Sequence, residues 1–195
     1  PFGDAQGRMH GFQLWANLPA ALKMIAPRYQ EVTSAEIPEV LEDDGTKVRI
    51  VCGNYAGTAG PVEGVAAEPV YLDVTVPPGT RKVLPVASHR NTFAYVFEGA
   101  GRFCNASAPL DVPTEGEGWA DTTPPTNAEN RMLVLFDDGD EVRVQTGDDG
   151  IRFLLVSGKP LREPVAWYGP IVMNTREELQ QAYAQLKNGT FLEIR

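Results

Sequence analysis

The chain has 195 residues, 43% of them hydrophobic, and its 26 acidic side chains outnumber 17 basic ones for a net charge of −9. That charge repels phosphate backbones and anionic lipid, so it excludes a direct grip on nucleic acid and argues against a membrane surface. No apolar run approaches the ~18 residues that a membrane span needs, and the composition predicts a cytoplasmic protein with one ordinary core and some extra chain.

In chain order, residues 10–17 alternate, with Phe12, Leu14 and Ala16 on one face and Gln13 and Trp15 on the other, which predicts a strand. Residues 19–25 suit one or two helical turns, ended by Pro27. Residues 31–42 read as loop, followed by a turn at Asp43, Asp44 and Gly45. A strand is expected over 48–52, a glycine-rich loop over 53–64, and a strand over 70–76, where Val70, Leu72, Val74 and Val76 share a face. Pro77, Pro78 and Gly79 make a turn. A strand over 92–97 is expected to turn at 98–101 and return over 102–104.

Residues 105–130 hold Pro, Gly and Thr without an apolar period and read as a long loop. A strand over 131–136, a hairpin-like turn at 137–140 and strands over 141–144 and 152–156 follow. Short strands at ~10–15-residue spacing with glycine turns indicate an antiparallel sandwich or barrel. Near the end, Thr175 and Glu178 form a capping box, and Leu179, Ala182, Tyr183 and Leu186 make the apolar stripe of a short amphipathic helix that Asn188 and Gly189 stop. Cys52 and Cys104 fit no zinc spacing and are expected as buried free thiols.

Metal-binding jelly-roll barrels of the cupin type place inward histidines by strand alternation. Their first motif runs Gly, five residues, His-x-His, three or four residues, Glu, six residues, Gly. That frame fits from Gly79 to Gly99, but its histidine slots hold Pro85 and Ala87, its glutamate slot holds Thr92, and the histidine slot of the second motif holds Val142. None of these is an effective ligand. His89 shares the parity of Ala87 and is expected either as a loop residue or as a lone inward group, and His10 stands far away in sequence. Asp137, Asp138, Asp140, Asp148 and Asp149 sit where turns favour Asp and lack calcium-loop spacing. Trp15, Trp119 and Trp167 are expected in a core or an interface. No catalytic, cofactor-binding or metal-ligating residue is assigned.

Several stretches together resemble the pirin family: His10-Gly-Phe-Gln-Leu-Trp-Ala-Asn-Leu-Pro19, Pro27-Arg-Tyr-Gln30, Ile37-Pro38, Tyr71-Leu-Asp-Val74, Lys159-Pro-Leu-Arg-Glu-Pro164 and Gly169-Pro-Ile-Val-Met-Asn-Thr-Arg-Glu-Glu178. The resemblance implies a bicupin, an all-β protein of two jelly-roll barrels. An N-terminal cupin holds iron or another divalent metal, and a C-terminal cupin has lost the ligands. The chain, which starts at Pro1, then reads as the C-terminal part. Residues 1–18 would be the last strand of the N-terminal cupin, 19–27 a linker, 28–168 the metal-free barrel, and 169–195 a terminal segment with the helix. No cofactor is expected in this chain, and its expected partner is the N-terminal cupin of the same protein. The longer protein would be a quercetin 2,3-dioxygenase acting on a flavonol-like substrate, or a redox-dependent, non-enzymatic regulator that binds a protein partner.

Overall fold

The computed structural model describes residues 7, 9–104, 109–111 and 126–191, and it divides into two compact units, Pro27–Arg162 on one side and Pro1–Ala26 with Glu163–Arg195 on the other.

The larger unit is antiparallel β throughout. Its strands are β1 (Glu39–Leu41), β2 (Lys47–Cys52), β3 (Asn54–Tyr55), β4 (Thr58–Ala59), β5 (Val70–Val76), β6 (Arg81–Pro85), β7 (Asn91–Phe103), β8 (Leu110–Asp111), β9 (Ala128–Glu129), β10 (Met132–Phe136) and β11 (Glu141–Gly158). The main sheet runs β1-β2-β5-β11-β7-β10-β8, with β6 added on β11 and β9 on β7, while β3 and β4 pair as a small hairpin. β11 changes partners along its length: Glu141 to Gln145 pair β6, and Ile151 to Ser157 pair β5. That exchange folds one continuous ladder into two layers with the core between them, the logic of a jelly roll.

Alternation supplies the core. β5 buries Leu72, Val74 and Val76 and turns Tyr71, Asp73 and Thr75 outward. Val48, Ile50, Leu84, Val134, Val142, Phe153 and Leu155 join them at 0–2% exposure. Each large side chain there stabilises the fold by about 1.5–3 kcal/mol. Phe103 sits edge-on to Phe153, ring centroids 5.2 Å apart, and to Phe136 at 5.6 Å.

Several sequence expectations change. The turn expected at 98–101 is no turn: β7 is one strand of thirteen residues, and β11 is likewise one strand where two were expected. Residues 147–150 bulge out of the ladder between the pairs Thr146↔Gly101 and Ile151↔Gly99. Gly99 and Gly150 lie there at φ of +69° and +72°, the left-handed region that glycine enters freely. The turn at 137–140 joins no hairpin, because β10 and β11 lie on opposite sides of β7. The segments read as loop at 31–42 and 53–64 contain β1 and the β3–β4 hairpin. Most of the loop expected over 105–130 lies outside the described residues, and β8 and β9 fall within the rest. Cys52 is buried and Cys104 only half-buried, both as free thiols.

The smaller unit contains a short 3-10 helix (Ala20–Leu22), a hairpin of β12 (Ala166–Tyr168) with β13 (Ile171–Met173), and the helix α1 (Arg176–Lys187). The capping box is formed: the Thr175 Oγ1 accepts from the Glu178 N–H at 3.1 Å, and Glu178 Oε2 accepts from the Thr175 N–H at 3.0 Å. At the other end Thr190 N–H donates to Gln185 O and Gly189 N–H to Leu186 O, a Schellman closure with Gly189 at φ +71°. The stripe packs Ala182, Leu179 and Tyr183 on Ile171 and Met173 of the hairpin, which had been expected only as an extended segment. Residues 10–17, expected as a strand, join no ladder among the described residues.

Candidate functional site

The metal frame can be followed onto the barrel slot by slot. On β6 the even positions Lys82 and Leu84 are buried, whereas Arg81, Val83 and Pro85 are exposed. The frame's histidine slots are odd, so Pro85 and Ala87 lie on the outside. Thr92 and Val142 are both buried, Val142 across from Leu84 and Thr92 across from Ser157. Two slots therefore face away from the barrel, one is packed into the apolar core, and one offers a neutral hydroxyl. The residues present do not fit a metal. Among the described residues, no three His, Cys, Asp or Glu side chains gather closely enough to hold one.

The same parity corrects the inward reading of His89. Its side chain is 77% exposed, and its backbone sits at φ +62°. The His89 N–H donates to Asp138 Oδ1 at 2.5 Å, and Nδ1 stands 2.7 Å from Asp138 Oδ2. This clip ties the β6–β7 arch to the β10–β11 turn, and the backbone bond from His89 is the chief cause holding the Asp138 carboxyl below its usual range. Asp138 of that turn thus holds backbone rather than a metal. His10 belongs to the smaller unit, where its ring lies tilted against Phe12, centroids 5.1 Å apart.

A half-buried charge cluster lies elsewhere on the barrel. Lys82, 8% exposed, bonds Glu42 and stands 2.9 Å from Asp44, while the Tyr55 hydroxyl donates to Glu42 Oε1 at 2.5 Å. Burial holds the Lys82 ammonium below the ordinary lysine range. Burial, and after it the negative charge of Asp44, push the Tyr55 phenol up. Sequence reasoning missed this cluster because the β6 segment, with Arg81, Lys82 and Pro85, lacks an apolar alternation to mark it as a strand.

In the smaller unit, an open groove of about 710 Å³ runs between residues 14–18 and the β12–β13 hairpin. Leu14, Trp15, Val165, Trp167, Val172 and Phe191 line it, and the two indoles are 61% and 67% exposed.

A family model described as the pirin C-terminal cupin domain matches residues 71–192. The chain belongs to the pirin family. A pirin-like protein of Caulobacter vibrioides is 42% identical over 95% of this chain and 60% of its own length, and human pirin is 33% identical over 92% and 56%. A solved structure titled quercetin 2,3-dioxygenase from Acinetobacter baumannii superposes with a TM-score of 0.74 at 27% identity, covering 91% of this chain and 55% of that one. This pirin-family chain thus has the cupin fold and spans about three fifths of the length of the curated relatives it matches. Among its described residues no helix is long and apolar enough to cross a membrane.

Proposed function

We propose that this chain is the metal-free, structural C-terminal cupin of a pirin-like protein, and that an N-terminal cupin of the same protein carries the chemistry. In this reading residues 28–168 are the supporting barrel, 19–27 the linker, and 1–18 and 169–195 the segments that serve the other half. The longer protein is a cytoplasmic quercetin 2,3-dioxygenase that uses iron or another divalent metal on a flavonol-like substrate. The observation that carries the reading is the fate of the frame: Pro85 and Ala87 face outward, and Val142 packs into the apolar core across from Leu84. Dioxygen chemistry needs a metal with an open coordination position, and the described residues of this barrel offer no ligand set for one. The A. baumannii relative supports the choice of activity, since it is similar over most of this chain and its title names that reaction.

The test is oxygen uptake with quercetin by the longer polypeptide loaded with iron, together with metal analysis of the 195-residue chain. Turnover by the first and no bound iron in the second are expected. Stoichiometric iron in this chain would overturn the structural role. No turnover by the iron-loaded longer protein would overturn the enzymatic reading in favour of the regulatory one.

A further inference from the structure

The outer face of β6, β11 and β7 carries a row of cations in an otherwise acidic chain. Gln145 of β11 stands opposite Arg81 of β6 on one side and opposite Arg102 of β7 on the other. All three are outward and exposed, because their neighbours Lys82, Val144 and Phe103 take the inward places. The two arginines thus stand two strand spacings apart, about 10 Å, with a neutral amide between them. In the next row Val83, 45% exposed, stands opposite Arg143, whose guanidinium pairs with Glu141. Elsewhere on the barrel Arg28, Arg49, Arg90 and Arg152 each hold a carbonyl, a hydroxyl or a carboxylate of this chain. Among the described residues Arg81 and Arg102 hold none. The chain has 26 acidic side chains against 17 basic ones, so the lack of a carboxylate at this row is not for want of acids.

We infer that the Arg81–Gln145–Arg102 row is a docking face for an acidic segment of a partner protein. The inference does not depend on the proposed activity. Charge complementarity selects the occupant: two guanidinium forks without internal partners match two carboxylates, each held by paired hydrogen bonds. A lone small anion fits less well, because on the open face of a sheet it keeps its water and is screened by salt. A chain segment adds apolar contact on Val83 beside the row. A nucleic acid fits less well again, since the net charge of −9 repels a long polyphosphate as a whole, whereas a short acidic segment brings few charges.

Fluorescence anisotropy of a labelled peptide of alternating glutamate and valine, titrated with the longer polypeptide, tests this. Binding is expected, and combining Arg81→Ala with Arg102→Ala should weaken it at least about tenfold. The pair Arg81→Lys and Arg102→Lys keeps the charge without the fork and should recover only part of that loss. No binding of the peptide, or binding that the double alanine variant retains, would overturn the docking face. Arg176→Ala removes the same charge from the smaller unit and should change the affinity by less than about twofold; a loss equal to that of Arg81→Ala would overturn the site in favour of net charge alone. Inorganic phosphate that displaces the peptide at equal concentration would assign the row to a free anion, and tighter binding of duplex DNA of equal charge would assign it to nucleic acid; either result overturns the inference. Binding by the 195-residue chain and none by the longer polypeptide would place the row under cover in the whole protein and overturn it as well.

Discussion

Gly99 and Gly150 meet across the bent ladder of β7 and β11 so closely that a Cβ on Gly99 would lie 2.2 Å from the Gly150 carbonyl oxygen. Both also hold φ values that side chains disfavour. Gly99→Ala therefore has to move backbone, and it should cost about 3 kcal/mol or more, seen as a lower urea midpoint. Gly139→Ala, where a Cβ meets nothing within 4 Å, is the control and should change the midpoint little.

Lys82 pairs with both Glu42 and Asp44 at the edge of the same barrel. Lys82→Met leaves both carboxylates without their cation. Because they retain 24% and 34% exposure, the expected loss is about 1–2 kcal/mol rather than the 3–5 typical of a fully buried pair. Adding Glu42→Gln to Lys82→Met should recover part of it, and a double-mutant cycle on denaturation midpoints measures the coupling.

Tyr55 predicts an alkaline effect. Its phenol is raised above the ordinary value of 10.0 by burial and by Asp44, so above pH 10 the unfolded chain loses a proton that the folded chain keeps. Its contribution to stability is whole below pH 10 and disappears as pH rises through the folded value. Tyr55→Phe should flatten the alkaline limb of the stability profile. Phenolate absorbance near neutral salt should show Tyr55 titrating late in the folded wild type, in company with Tyr71, which is also raised by burial and then by Asp73.

The helix cap gives a smaller, cleaner number. Thr175→Ala removes the oxygen that accepts from the Glu178 N–H and should cost about 1 kcal/mol, while Thr175→Ser should keep most of it. Thermal unfolding followed by far-UV circular dichroism reads both.

The residues whose local pattern agrees with their place in the fold were legible. Val70–Val76 and the helix from Arg176 announce themselves, one by alternation and the other by its cap and stripe. Gly99 misled because a glycine that bends one long strand looks, in sequence, like a glycine that ends two short ones. β6 was hidden because its inward positions include a lysine, which belongs there only in view of Glu42 and Asp44 from a distant turn. The metal frame had a readable spacing, but spacing does not fix strand parity: one position of offset moved Pro85 and Ala87 to the outside. The groove could not be read at all, since Trp15 and Trp167 become neighbours only after the chain has folded back on itself.

That folding back has a consequence for synthesis. The bond from Ala20 to Glu163 spans 143 positions. At ribosomal speeds of 5–20 residues per second, Ala20 waits roughly 7–30 s for its partner to be made. Throughout that interval Leu14, Trp15 and Leu18 are nascent apolar chain with no Glu163 to fasten them, while the intervening barrel strands are already being completed. The smaller unit therefore closes only after the barrel strands between its two segments have been made.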